Sequence, residues 1–172
     1  MSFNPGPAGD ARVVPAGDRW TLIFIRDLRH PPAVVWTALT DPAELDRWAP
    51  FAAPHDLGKT GETTLTMVDG DERVDLPATV LRAEPPVLLE YTWADDRLRW
   101  DLEPTAAGTR LTLHHTLAEP GMQAMVAAGW HLCAEVLRRL LDGDPVPVIR
   151  GRAAMEFGFE GLRAAYAEKF GA

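Results

Sequence analysis

The hydrophobic positions along the chain change period several times, and each period predicts a secondary-structure element. Residues 20–29, WTLIFIRDLR, are rich in β-branched and aromatic side chains, which favours a strand. Residues 32–40, PAVVWTALT, have apolar side chains at helical spacing behind two prolines. Asp41 is suited to cap a second short helix, with Pro42 in its first turn. The pattern therefore predicts one strand followed by two short helices.

Alternation of apolar and polar residues replaces the helical period in the middle of the chain. The alternating segments are residues 63–68, 74–80, 87–93, 97–103 and 109–117. The turns between them are too short for a crossover connection, so these strands are predicted to form an antiparallel meander. Pro77 lies inside the second segment and predicts an edge position or a bulge there.

The last long pattern is helical again. Val126, Trp130, Cys133, Leu137 and Leu140 recur at spacings of three and four, which makes one apolar stripe on a helix of about twenty residues. A sheet with one apolar face needs a covering layer, and this stripe is suited to that role. We therefore predict an α+β domain in which a curved antiparallel sheet of about six strands wraps around the long C-terminal helix.

The two ends of the chain lie outside this pattern. Residues 1–18 are rich in Gly, Pro and Ala and lack the features of a signal peptide, so a flexible leader is expected. Residues 19–145 would form the domain. In residues 146–172 the apolar side chains recur at helical spacing, which predicts a helical C-terminal extension.

Composition and charge exclude several functions. The net charge of −8 argues against nucleic-acid binding, and no apolar run is long enough for membrane insertion. The single cysteine excludes an internal disulfide and makes a cytoplasmic location the expectation. The only serine, Ser2, lies in the predicted leader, which excludes a Ser-His-Asp hydrolase within the domain.

Four stretches of the sequence resemble a known family. VWTALTDPAELDRWAP (35–50) resembles the helix pair after the first strand in homologues of the activator of the heat-shock-90 chaperone ATPase. EYTW (90–93) resembles the end of that family's fourth strand, and TRLTLHHTL (109–117) resembles its last strand. GWHLCAEVLRRLLDGDP (129–145) resembles its C-terminal helix. The resemblance extends over residues 19–145 and implies membership of the wider START-like (SRPBCC) superfamily.

This resemblance implies the helix-grip fold of the birch-pollen allergens, with a cavity between the sheet and the long helix. Members of the superfamily bind hydrophobic small molecules, transfer lipids, or act as polyketide aromatases and cyclases. The eukaryotic co-chaperones that give the family its name carry an additional N-terminal domain. A chain of 172 residues leaves no room for that domain, so chaperone activation is not expected here.

His115 is the candidate catalytic residue. It shares the apolar face of its strand with leucines, so it is expected to face the cavity. A cavity histidine can act as a general base, but the spacing reveals no partner carboxylate. Histidines in such positions are more commonly hydrogen-bonded within a core, and we therefore place catalysis behind binding.

His131, Cys133 and Glu135 raise the question of a metal site on the long helix. Zinc takes three or more protein ligands, and of the adjacent His114 and His115 only one could join them. The ligand set is incomplete, so neither a metal nor another cofactor is predicted. His131 and Glu135 are expected to form a solvated helix face, with Cys133 as a small core residue.

Ligand pockets are mainly apolar and aromatic with a few orienting polar groups. Strand parity and the helix stripe direct two tryptophans inward, and a histidine and a tyrosine would supply the polar groups. The predicted ligand-binding residues are Trp100, Trp130, His115, Tyr91, Met122, Val126 and Cys133.

Three functions stay open at this point. The leading hypothesis is a protein that binds a small hydrophobic molecule between the sheet and the long helix. The second is a cyclase-like or hydrolytic enzyme that uses His115. The third is a stress-response or chaperone-interacting protein, which predicts a closed core and an exposed apolar patch on residues 157–170. The same segment could form a homodimer.

Overall fold

The structure is a computed structural model that describes residues 3–171. Residues 1, 2 and 172, which belong to the predicted leader and extension, lie outside the described residues. The strands are β1 (Ala11–Ala16), β2 (Arg19–Leu28), β3 (Phe51–Ala52), β4 (Gly61–Asp69), β5 (Glu72–Glu84), β6 (Leu88–Trp93), β7 (Asp96–Pro104) and β8 (Thr109–Leu117). The helices are α1 (Pro32–Thr40), α2 (Pro42–Leu45), α3 (Gln123–Leu141) and α4 (Phe159–Lys169), with a 3-10 helix at Gly151–Phe157.

All eight strands form one antiparallel sheet in the order β1-β2-β8-β7-β6-β5-β4-β3. Strands β4 to β8 are the predicted meander, and β2 pairs with β8, so an early strand lies beside the last one. This order places His115 of β8 between Leu22 of β2 and Leu98 of β7. The α+β class is confirmed, and the sheet with its long helix is consistent with the helix-grip fold.

The prediction of about six strands is wrong, because β1 and β3 add two. β1 lies within the segment that the sequence assigned to a flexible leader, and it pairs with β2 around a turn at Gly17, where φ is +64°. As an edge strand, β1 is bonded on one side only, so its sequence, ARVVPA, needs no clear apolar alternation and tolerates Pro15. β3 has two residues, too few for any periodic signal.

Local sequence explains the boundaries of the first two helices. The Asp41 side chain accepts a hydrogen bond from the Ala43 amide at 2.8 Å, and Pro42 occupies the first turn of α2, as predicted. Trp48 donates its indole N–H to the Ala38 carbonyl at 2.8 Å. This bond joins the end of the α2 region to α1 inside the core.

Pro77 lies in the half of β5 that pairs along its length with β4 only. The pairing of β5 with β6 begins at Val80, and the register shifts between Val80 and Arg82. Pro77 therefore lies before the β5–β6 ladder begins, and its carbonyl accepts a hydrogen bond from the Ala94 amide at 2.9 Å, so its missing N–H removes no bond of that ladder.

The C-terminal extension packs against α3. Leu162 and Tyr166 of α4 are buried, and Phe157, Phe159 and Phe170 are partly buried against the core. The expectation of an exposed apolar patch on residues 157–170 is therefore wrong. The apolar side of this amphipathic segment is used within the chain, because α3 presents a second apolar face to it.

A buried polar network joins the N-terminal segment, α3 and α4. His131 Nε2 lies 2.7 Å from the Pro5 carbonyl oxygen, which can only accept, so Nε2 carries the proton. His131 Nδ1 then accepts from the Tyr166 hydroxyl at 2.7 Å. The Tyr166 oxygen in turn accepts from the Gly9 amide at 3.0 Å and from Arg26 Nη2 at 3.2 Å.

The prediction that His131 lies on a solvated helix face is wrong, since its exposed fraction is 2%. The α3 sequence cannot reveal this, because the cover comes from α4 and from the segment around Pro5. Burial, and then the nearby Arg26 charge, lowers the pKa of His131, while the Pro5 carbonyl and Glu135 act in the opposite direction. The folded state therefore favours the neutral imidazole.

We expect Tyr166→Phe to lower the free energy of unfolding by about 2 kcal/mol, because it leaves the His131, Gly9 and Arg26 groups without their shared partner. Tyr91→Phe is the matched control, since the Tyr91 hydroxyl accepts one hydrogen bond, from Trp100. Urea unfolding of both variants measures the difference. A larger loss for Tyr91→Phe than for Tyr166→Phe would contradict the role assigned to the network.

The lowered pKa of His131 predicts an acid-sensitive stability. The unfolded histidine has a pKa of about 6.5, so the unfolded state binds more protons as the pH falls below that value, and the free energy of unfolding decreases. His131→Gln should reduce the loss of stability between about pH 7.5 and about pH 5.5. His55→Gln, at an exposed histidine, should keep the wild-type loss. An unchanged loss in His131→Gln would show that this histidine does not contribute.

Candidate functional site

A cavity of about 680 Å³ lies between the sheet, α3 and the C-terminal extension. It is partly open to solvent, and most of its lining is apolar. The lining residues are Pro50, Met67, Leu76, Trp93, Ala94, Asp95, Asp96, His115, Leu117, Ala118, Glu119, Met122, Val126, Gly129, Trp130, Leu132, Cys133, Ile149, Arg150, Gly151, Ala154 and Phe159.

The structure brings together most of the predicted ligand-binding residues at this cavity. Trp100 and Tyr91 lie outside the lining, behind the wall, where the Trp100 indole donates to the Tyr91 hydroxyl at 3.0 Å. Parity placed both on the buried face, but it carries no information about position along the strand. The predicted residues on the lining are His115, Trp130, Met122, Val126 and Cys133.

Trp100 supports the cavity wall from the core side. Its ring packs edge-to-face on Trp130 at 5.3 Å and on Trp48 at 6.2 Å between centroids. Tyr91 is fully enclosed, and its burial raises the pKa of the phenol far above its usual value despite the hydrogen bond from Trp100. Both side chains therefore act as rigid support for Trp130.

His115 is held by two partners, one at each ring nitrogen. The Trp130 indole N–H donates to His115 Nδ1 at 2.9 Å, so Nδ1 carries no proton. His115 Nε2 therefore carries the proton and donates to Asp96 Oδ2 at 2.7 Å. The second Asp96 oxygen accepts from the Ala118 amide at 2.9 Å. The chain of bonds links α3, β8, β7 and the segment after β8.

Asp96 is the carboxylate partner that the sequence interpretation did not find. It begins β7, and the pairing of Arg97 with Thr116 brings it to His115 although nineteen residues separate them. Burial raises the pKa of Asp96, but hydrogen bonds from His115 and Ala118, together with the charge of Arg19, lower it overall below its usual value. The register of β7 against β8 would have revealed this pair.

This geometry limits the chemistry available to His115. A general base needs a nitrogen lone pair that can reach the substrate. The Nδ1 lone pair is occupied by Trp130, and Nε2 donates to Asp96. In this arrangement the imidazole holds Trp130 and Asp96 in place and presents its ring to the cavity.

Trp93 is a cavity residue that sequence reasoning did not select. It ends β6, and its ring lies 6.2 Å from Trp130, 6.1 Å from His115 and 5.0 Å from Phe51 between centroids. Its indole N–H is buried and has no hydrogen-bond partner among residues 3–171. Trp93 lies next to the Asp95-Asp96 turn in the sequence, and the turn residues line the same cavity.

The C-terminal extension supplies one wall of the cavity through Ile149, Arg150, Gly151, Ala154 and Phe159. No predicted ligand-binding residue lies in this segment. Its contribution depends on the path of residues 146–150, which have no regular secondary structure, and no periodic pattern encodes that path.

Arg150 fixes this wall to the domain. Its Nε donates to the Ala49 carbonyl at 2.8 Å, and its Nη2 donates to the Phe51 carbonyl at 3.0 Å. Its Nη1 lies 3.0 Å from Asp46 Oδ1. The Arg150 side chain is 10% exposed, so its bonds to the two carbonyls join the extension to the α2–β3 region with little solvent competition, while the Asp46 carboxylate is solvent-exposed.

Two small residues of α3 shape the opposite wall. Burial raises the pKa of the Cys133 thiol to about 12, opposed by the Arg150 charge, so the thiol stays protonated and behaves as an apolar group. A Cβ placed on Gly129 would meet nothing within 4 Å. Gly129 therefore leaves open volume in the cavity at the middle of the helix.

Neither a metal centre nor a membrane span is found within the described part of the chain. No group of three His, Cys, Asp or Glu side chains is arranged to hold a metal ion in residues 3–171. Among the same residues, no helix combines the length and hydrophobicity needed to cross a bilayer.

Solved structures with the same fold come from several bacteria. A conserved protein of unknown function, EF2215 from Enterococcus faecalis, is 18% identical, and the match covers 92% of this chain and 89% of that chain with a TM-score of 0.71. CalU16 from Micromonospora echinospora is 23% identical, with 92% of each chain covered and a TM-score of 0.63. At these identities the likeness shows the fold alone.

An AHSA1-like protein from Aeromonas hydrophila is 20% identical over 72% of this chain and 92% of that chain, with a TM-score of 0.61. A comparison with curated proteins gives no match. The family model described as Activator of Hsp90 ATPase homolog 1-like protein matches residues 29–142, which run from the end of β2 to the end of α3. The chain belongs to the family of Activator of Hsp90 ATPase homolog 1-like proteins.

Proposed function

We propose that this protein binds a small hydrophobic molecule in the cavity between the sheet, α3 and the C-terminal extension. The observation that carries the proposal is the cavity itself, with about 680 Å³ of volume and a mainly apolar lining. Pockets for small ligands have volumes of about 300–1,000 Å³ and combine apolar walls with a few fixed polar groups. Asp96, His115 and Trp130 are such polar groups, and the hydrogen bonds from Trp130 to His115 and from His115 to Asp96 fix their positions.

The lining favours burial of apolar ligand surface. Trp93, Trp130 and Phe159 offer large ring surfaces, and Met122 adds a flexible side chain that adapts to irregular ligands. Apolar burial contributes about 25 cal/mol for each Å² before the cost of immobilising the ligand is subtracted. The rings are held by their neighbours, so little side-chain conformational freedom has to be lost on binding.

The His115–Asp96 pair is the observation that favours an enzyme, and we place it second. A hydrolytic or cyclase-like reaction would require the Trp130 indole to leave His115 Nδ1 before that nitrogen could accept a substrate proton. Binding needs no such rearrangement. A chaperone-interacting role lost its main support when the apolar side of residues 157–170 was found packed within the chain.

The cellular setting is part of the same proposal. The single cysteine is buried and forms no disulfide, which suits the reducing cytoplasm that we propose for this protein.

Filling the cavity should abolish binding of a neutral apolar dye. Native mass spectrometry of freshly purified protein would first reveal any ligand that copurifies. Val126→Trp places a large ring into the cavity and should weaken Nile red binding by about tenfold or more. Met125→Trp is the matched control, because Met125 is the neighbouring residue of α3, is 42% exposed and lies outside the lining. Equal dye binding by both variants would disprove binding in this cavity.

Gly129 allows a second, graded test of the same cavity. Gly129→Ala should raise the free energy of unfolding by about 0.5–1 kcal/mol, because alanine replaces glycine inside a helix and its methyl group meets open space. Gly129→Phe should fill the cavity and weaken Nile red binding. Urea unfolding and dye titration measure both effects. A destabilised Gly129→Ala variant would show that the space beside Gly129 is not open.

A further inference from the structure

The charged groups on the cavity lining differ in whether they are free to form an ion pair or a hydrogen bond with a ligand. Two of them can carry a positive charge, His115 and Arg150, and three are acidic, Asp95, Asp96 and Glu119. Whether a buried ligand charge is tolerated depends on which of these groups have free donors or acceptors. Their existing hydrogen bonds decide this.

Arg150 is not free to bind an anion. Its Nε, Nη1 and Nη2 atoms are directed to the Ala49 carbonyl, to Asp46 and to the Phe51 carbonyl. A ligand carboxylate would have to compete with Asp46 for the same guanidinium and would loosen the wall that Arg150 holds. The cost of breaking these bonds would cancel the gain from a new ion pair.

His115 is not free to bind an anion either. Its single N–H is given to Asp96, and its other nitrogen is an acceptor for the Trp130 indole. A second proton on Nδ1 would face the Trp130 N–H, donor against donor. Within residues 3–171, both cationic groups of the lining are therefore already engaged with protein acceptors, Arg150 through all three of its nitrogens and His115 through its single N–H.

Two acidic groups at the cavity mouth, unlike Arg150 and His115, are not engaged in ion pairs within residues 3–171. Asp95 and Glu119 are exposed, and neither forms an ion pair with a described residue. Asp96, beside them, is also negatively charged, and its carboxylate is paired with His115. Arg19 is the nearby counter-charge. It donates to the Asp95 backbone carbonyl from outside the lining.

We propose that the cavity selects hydrophobic ligands that carry no negative charge, so that neutral and cationic amphiphiles bind and fatty-acid-like carboxylates are rejected. This inference rests on the proposed function of the cavity. A carboxylate would enter past acidic side chains and would find no free cation inside. An alcohol loses little, because a hydroxyl can stay at the open mouth, and an ammonium group gains from Asp95 and Glu119.

A matched ligand series tests the inference. Decylamine, decanol and decanoate share one chain length, and each competes with Nile red for the cavity at about pH 7.5, where the amine is charged and the acid ionised. We expect decanol and decylamine to displace the dye. Decanoate should bind more weakly than either, by about tenfold or more. Decanoate affinity equal to or above that of decanol would overturn the inference while leaving the cavity-binding proposal intact. A protein that binds neither the dye nor any member of the series would overturn the cavity-binding proposal itself.

A charge variant locates the effect. Asp95→Asn/Glu119→Gln should lower the ratio of decylamine to decanoate affinity by about threefold or more, because it removes both free carboxylates at the mouth. Asp18→Asn/Glu62→Gln changes the net charge by the same amount at exposed residues outside the lining and should keep the wild-type ratio. Equal changes of the ratio in both double variants would overturn the assignment to the cavity mouth.

Discussion

The hydrogen bond from Trp130 to His115 is the interaction on which the cavity depends most. It crosses from α3 to the sheet, and through His115 it continues to Asp96 and the Ala118 amide. Buried polar groups are costly unless every member has a partner, so this chain of bonds fixes the distance and rotation of α3 relative to β7 and β8. The space between helix and sheet therefore persists as a cavity with defined walls.

The cavity is a joint product of the family domain and the extension. Residues 29–142 match the family and supply the meander with α3, but the wall from Ile149 to Phe159 lies beyond them. Two polar clusters hold the extension down, one around Arg150 and one around His131 and Tyr166. The fold thus provides a concave surface, and the extension determines how far that surface is enclosed.

Periodic patterns predicted the elements of this protein well, and its contacts less well. The meander, the two short helices and α3 follow from local spacing, as does the buried position of His115. Edge strand β1 was not predicted, because a strand paired on one side only needs little apolar alternation. The pairing of Asp96 with His115 was not predicted because it depends on strand register. The burial of His131 was not predicted because it depends on segments distant in sequence. Long-range packing decides such features, and a single sequence does not encode them in any local period.

The occupancy of donors and acceptors, more than residue type, decides what the site can do. A histidine, an aspartate and a buried cysteine around one cavity suggest catalysis when they are read as residue types. In the structure the histidine has no free nitrogen, the aspartate accepts from two protein groups, and burial keeps the thiol protonated. Polar groups that are satisfied by the protein offer little to an anionic ligand, so shape, apolar surface and the carboxylates at the mouth select the ligand. The same bonds that make the cavity rigid therefore also leave its polar groups unavailable for catalysis.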